Sequence, residues 1–167
     1  MGGYSRAVVR GITSYAFARA WTCRVEGVND LHIADRLDAY DGLIVQAATP
    51  QLTRSLSAIR TPLVNVSSAL PRTRFPSVVS DDIAVGRLGA DYFLRRGYRQ
   101  FCFHAPDDRE FVKLRHEGFV ARLGEAGEAC VVSASDDELV AILQKLPRPI
   151  AVMGCNDRAA LGALEAV

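Results

Sequence analysis

The residues able to do chemistry in this chain sit in short polar runs, each directly after an apolar run. They are Glu26, Gln46, Ser67 with Ser68, Asp81 with Asp82, His104 with Asp107 and Asp108, and Asn156 with Asp157. Carboxylates, amides and hydroxyls gathered in one crevice suit hydrogen bonding to a polyhydroxylated small molecule. Asp81 and Asp82 also offer a carboxylate pair for acid–base work, while Asp or Asn ahead of a helix serves equally as a cap. A phosphoacceptor site would add a lysine at a later strand end, but the lysines, Lys113 and Lys145, both fall on predicted helices. Cys155 precedes a helix N-terminus, where a thiolate is stabilised, yet His32, His104 and His116 are scattered away from it. No GxGxxG, GxSxG or P-loop is present. An enzyme would need a base and a nucleophile within hydrogen-bond reach, so His104 against Asp81 or Asp157 is the spacing to test. Arg115 lies four residues before Phe119, close to an apolar stripe. It is placed to turn into a crevice and pair with ligand hydroxyls or a carboxylate.

The elements that must position these groups alternate. Val8, Ile12, Tyr15 and Ala16 fall at helical spacing between Ser5 and Ala20. "WTCRVEG" reads as a strand, and a weaker helix covers Leu31 to Leu37. "GLIVQAA" follows the Asp41-Gly42 turn as a buried strand. Pro50 opens a helix with Leu52, Leu56 and Ile59, and "PLVNVSS" is the next strand. "RTRFPSVVS" crosses a loop and a short strand. From Ile83 to Arg96 a helix carries Val85, Leu88, Gly89, Tyr92 and Phe93 as one stripe, with Gly97 as its C-cap. "FCFHA" is a strand, then a helix carries Phe111, Leu114, Phe119 and Leu123, and "CVVSA" is a strand. Ser135 and Glu138 fit a capping box for a helix with Leu139, Ile142 and Leu143 inward. "IAVMGC" is the last strand, and Asn156 caps a closing helix with Leu161, Leu164 and Val167 on one side. Short apolar strands alternating with helices predict an α/β fold with doubly wound parallel sheets. Ligands in such sheets sit outside the carboxyl ends of the strands, where the polar runs lie.

Composition excludes several classes. Apolar residues make up 49% of the 167, and the formal net charge is +1. That leaves no electrostatic footprint for nucleic acid or an anionic membrane. No run of about 18 apolar residues could cross a bilayer, and the N-terminus lacks a secretion-signal pattern. The cytoplasm is the expected compartment. Cys23, Cys102, Cys130 and Cys155 show neither CxxC pairing nor zinc spacing with His. They read as four reduced, buried thiols packing as small hydrophobes. No metal or cofactor is expected.

The order of motifs resembles the ligand-sensing domain of the lactose/galactose repressor family. "VVSDDIAVGRLGADYFLRRGYRQFCFHA" is similar to that family's Asp-Asn, helix, Gly-His-Arg, strand segment, through Asp81, Asp82, Phe93, Gly97, Tyr98 and Arg99. "KLRHEGF" resembles its Arg-x-x-Gly-Phe helix through Arg115, Gly118 and Phe119. "VMGCNDRAALGALEA" resembles its strand, Asn-Asp and Ala-x-Gly-Ala helix through Asn156, Asp157, Ala160, Gly162 and Ala163. "YSRAVVRGITSYA" and "YDGLIVQA" are most similar to the xylose-regulator branch, where an AraC-type DNA-binding region follows the sensor. The resemblance implies two α/β lobes of the periplasmic-binding-protein type, at 1–99 and 100–167. By it, the first lobe is nearly complete and the second truncated. It implies a sugar-like effector held in the cleft by Asp81, Asp82, Arg115, Asn156 and Asp157, with no catalysis. Tyr98 stands where the family has His, and Asp82 where it has Asn. DNA would be bound only through a region not present in these residues. The bare sheet edge of a partial lobe predicts a homodimer.

Overall fold

The computed structural model describes residues 3–27, 37 and 39–166. Helix α1 (Gly3–Ala18) is followed by β1 (Leu43–Val45), α2 (Pro50–Leu56) and β2 (Leu63–Asn65). Thr49 caps α2 by accepting the Leu52 N–H, and Pro50 occupies the first helical position, where no N–H is needed. β1 and β2 pair in parallel, Leu43 opposite Leu63 and Val45 opposite Asn65. The strand expected near "PSVVS" reduces to one bridge from Ser77 to Asn65. Pro76 has no N–H for a ladder and serves only as acceptor for Asn65 N–H, at 2.8 Å.

The second sheet holds β3 (Gln100–His104), β4 (Val131–Ser133) and β5 (Ile150–Gly154), in the order β4-β3-β5 and all parallel. Its helices are α3 (Asp82–Arg95), α4 (Glu110–Glu125), α5 (Asp136–Lys145) and α6 (Asp157–Glu165). Side chains alternate across β3. Phe101 and Phe103 join Ala90 of α3 with Val112, Phe119 and Leu123 of α4. Cys102 faces the other way, onto Leu139 of α5 and Ala163 of α6. This two-sided burial is the doubly wound arrangement that non-alternating strands predict.

α3 and α4 run side by side at backbone distance. A Cβ on Gly86 would lie 2.0 Å from the Arg115 carbonyl oxygen, and one on Gly118 would lie 2.1 Å from that of Ile83. Glycine at both positions permits the approach. It also sets which face of α3 turns inward: Asp82, Gly86 and Ala90 are buried. Leu88 and Tyr92, expected in the inward stripe, are 64% and 47% exposed. The closing helix behaves alike. Ala159 and Ala163 are buried, whereas Leu161 and Leu164 face solvent. Val167 lies outside the described residues.

Other expectations are corrected. Residues 21–27 form no strand and are exposed throughout. Tyr15 is exposed too, packed edge-on against Trp21, so α1 turns only Ala16 fully inward. The helix over 31–37 lies outside the described residues except for Leu37, which is helical. Of the cysteines, Cys102 and Cys155 are buried, Cys130 is partly buried and Cys23 is exposed; all are free. Gly97, at φ 77°, terminates α3 in the left-handed region as expected. Ser135 caps α5 by accepting the Glu138 N–H, but the Glu138 carboxylate accepts from Ala134 N–H rather than closing back on Ser135. α3, which falls within the expected first lobe at 1–99, packs Ala90, Phe93 and Leu94 with Phe101, Phe103 and Phe119.

Candidate functional site

The strand ends meet at a buried ion pair. Arg115 Nε donates to Asp82 Oδ1 at 2.8 Å, and Ser68 Oγ donates to Asp82 Oδ2 at 2.7 Å. Arg115 Nη1 donates to the Cys155 carbonyl at 2.8 Å. The Asp82 side chain is 0% exposed and the Arg115 side chain 21%. The Phe111 ring lies 5.0 Å from the guanidinium carbon. One arginine on α4 thus joins the first turn of α3, the end of β5 and, through Ser68, the segment after β2. Local chemistry explains each placement. Asp82 sits in the first turn of α3, where a carboxylate complements the helix dipole. Burial of both charges is tolerable because they are paired and hydrogen-bonded.

The first sheet contributes more. Tyr4 Oη donates to the Val66 carbonyl at 2.9 Å, and Ser5 Oγ donates to Gln46 Oε1 at 3.0 Å. Burial holds the Tyr4 phenol above its ordinary pKa; the nearby Asp82 carboxylate adds to this, and Arg115 opposes it. Asn65 is 1% exposed. Its side-chain oxygen accepts from Ala47 and Ser67 N–H groups, and its nitrogen donates to Ser67 O and Ser77 Oγ. This amide fixes the ends of β1 and β2. The start of α4 is tied to the segment after β2 as well: Glu110 N–H donates to Ala69 O at 3.1 Å and Phe111 N–H to Ser68 O at 3.0 Å.

The remaining predicted residues take defined places. Asp81 caps α3, accepting the Ala84 N–H at 2.9 Å, and Asn156 caps α6, accepting the Ala159 N–H at 3.0 Å. Asp157 stands at the start of α1: its Oδ2 lies 3.3 Å from a Cβ built on Gly3. Asp82, Arg115 and the Cys155–Asn156 corner therefore come together directly, while Asp81 and Asp157 stand beside helix N-termini. Sequence reasoning singled out Ser68 within the polar set but missed Tyr4 and Asn65. Tyr4 is legible as the residue one turn before Val8 on α1. Asn65 sits within an apolar strand and gave no signal. None of the predicted residues lines the surface groove formed by Leu56, Ile59, Leu63, Arg74 and Phe75.

The enzyme reading can be tested in place. His104 pairs with neither Asp81 nor Asp157. Its Nδ1 lies 2.9 Å from Ser133 Oγ and its Nε2 3.0 Å from Asp136 Oδ1. A serine, a histidine and an aspartate in sequence of contact suggest a nucleophile, but Ser133 and His104 are both 0% exposed. A substrate has no access, and the trio ties the ends of β3 and β4 to the start of α5. Burial, helped by Asp107, pushes the Cys155 thiol up despite Arg115 and Arg109, so it is not a poised thiolate. Among the described residues, no group of His, Cys, Asp and Glu is arranged to hold a metal ion. None of the described helices is long and apolar enough to cross a membrane.

Residues 31–167 match the family model of periplasmic binding proteins and sugar binding domain of LacI family. The chain belongs to this family. LacI-family members are transcriptional regulators, and the alternating parallel architecture here is that of their ligand-binding domains. The xylose-binding transcription activator xylR superposes with a TM-score of 0.83 at 19% identity, covering 99% of this chain and 47% of its own. A LacI-family regulator from Lactobacillus brevis gives 0.76 at 19% identity, over 98% of this chain and 69% of its own. One from Enterococcus faecium with bound ribose gives 0.73 at 18% identity, over 99% and 67%. The chain spans about half the length of the first of these. No curated protein matches it.

Proposed function

We propose that this chain is the ligand-sensing part of a transcription regulator and takes a sugar or similar small molecule at the crevice between its two sheets. The observation that carries the reading is the Ser68–Asp82–Arg115–Cys155 chain of hydrogen bonds, which gathers groups from both sheets at the carboxyl ends of their strands. Asp82, with no exposed side chain, orients Arg115. Arg115, Asn156, Asp157, Asp81 and Tyr4 supply the groups that meet the ligand. The lobes divide ahead of Asp81, so that α3 moves with the second sheet it packs on. A ligand that binds one relative placement of the lobes more tightly biases that placement, and a region beyond these residues conveys the bias to DNA. The protein acts in the cytoplasm as a homodimer, and the likeness to a xylose-binding activator and to a regulator with bound ribose favours a pentose.

Titrating pentoses and hexoses while following thermal unfolding tests the reading. A cognate sugar at about 100 times its Kd adds about 2.7 kcal/mol to stability. Arg115→Met should abolish that gain. If no sugar shifts the transition at millimolar concentration, the sensing role fails.

A further inference from the structure

We infer, resting on that reading, that the crevice takes an uncharged polyol and rejects its phosphate esters. Phosphate recognition draws on free backbone N–H groups at helix N-termini and on unpaired guanidinium groups. Here the starts of the helices beside the Asp82–Arg115 pair already carry caps and acidic side chains. α3 carries Asp81 as its cap and Asp82 in its first turn. α6 carries Asn156 as its cap and Asp157 in its first turn. The Asp157 carboxylate also stands against the start of α1 at Gly3. α4 has its Glu110 and Phe111 N–H groups taken by the Ala69 and Ser68 carbonyls.

The arginines are committed as well. Arg109 is paired with Asp107 through several hydrogen bonds. Arg115 is neutralised by the buried Asp82. Its Nη2 has no protein partner among the described residues, which suits donation to a hydroxyl, since its charge is already compensated. Over the residues that lead into α3, α4 and α6 and the first turns of those helices, Asp81, Asp82, Asp107, Asp108, Glu110 and Asp157 outnumber Arg109 and Arg158, even with Arg115 added. A dianionic phosphate would enter a site whose net charge has its own sign, and like charges brought together weaken binding.

The test is calorimetric titration of the whole chain with an aldopentose and an aldohexose, each beside its terminal phosphate monoester, and with inorganic phosphate. The expected result is binding by a neutral sugar and at least about tenfold weaker binding by its ester. Asp107→Asn, which frees Arg109, should narrow that gap by several-fold while leaving affinity for the neutral sugar unchanged. An ester binding as tightly as its parent sugar, or inorganic phosphate binding at micromolar concentration, would overturn the inference and leave the sensing role standing. Binding by neither sugar nor ester overturns both.

Discussion

The two sheets are built from similar sequence patterns but are held together differently. In the second, Phe101, Phe103, Phe119, Leu123 and Leu139 are all fully buried, with helices on both faces. In the first, the only comparably enclosed large side chain among the described residues is an amide, Asn65, and the apolar cluster rests on Leu37, Ala47 and Leu56. α1 has one buried residue, Ala16, and none in that cluster. A strand pair with one modest cluster gains little from burial, whereas a closed aromatic core gains a great deal. The first sheet therefore depends on its ties to the second, through Ser68, Ala69 and the Asp82–Arg115 pair.

Substitutions can sharpen or break this contrast. The largest effect is expected at Gly118→Val, where the added side chain meets the Ile83 backbone. A loss of about 3 kcal/mol or more in denaturant unfolding is expected, because neither helix can retreat without opening the core. Next comes a paired comparison. Phe119→Ala should cost about 3–5 kcal/mol, and Leu56→Ala in the first sheet about 2 kcal/mol. Equal costs would show that the two cores are equivalent after all. Asn65→Ala should cost about 1–3 kcal/mol by leaving the Ala47 and Ser67 N–H groups unpaired. It should also speed hydrogen exchange in β1 before β3. The smallest effect concerns acid. Arg109 holds the Asp107 carboxyl below its ordinary pKa. A lowered folded value means that the pair stabilises the protein above the usual carboxylate range and that this contribution fades as pH falls through the lowered value. Asp107→Asn should flatten that acid limb by lowering the neutral plateau by about 1 kcal/mol or less, with stability at low pH unchanged.

Much of the architecture was legible because alternation, caps and turn residues report locally. Ser135, Asn156, Thr49 and Gly97 mark their helix ends as their chemistry dictates. Phase around a helix was less legible. α3 and α6 turn small residues inward and leave Leu88, Leu161 and Leu164 in solvent, the opposite of what a hydrophobic stripe predicts. The reason is nonlocal: Gly86 is needed at the contact with α4, and Gly154 lies against the Ala160 backbone at the entry to α6. Backbone proximity of this kind has no signature in periodicity. Residues 21–27 have strand-like composition, but a strand exists only where a neighbour accepts its hydrogen bonds, and none of the described strands pairs with it. For the site, Asp82 and Arg115 were readable as residues after a strand and beside an apolar stripe. Their direct pairing was not, since it depends on how closely α3 and α4 approach.

The distribution of the thiols has a practical consequence. Burial lifts the Cys130 thiol to about 12, Cys102 and Cys155 are enclosed, and Cys23 alone stands open on the segment after α1. An alkylating dye at neutral pH should therefore mark a single position, two residues from Trp21, on the lobe opposite α4. That gives the native sequence a single labelling position beside its tryptophan, with no cysteine needing to be removed first.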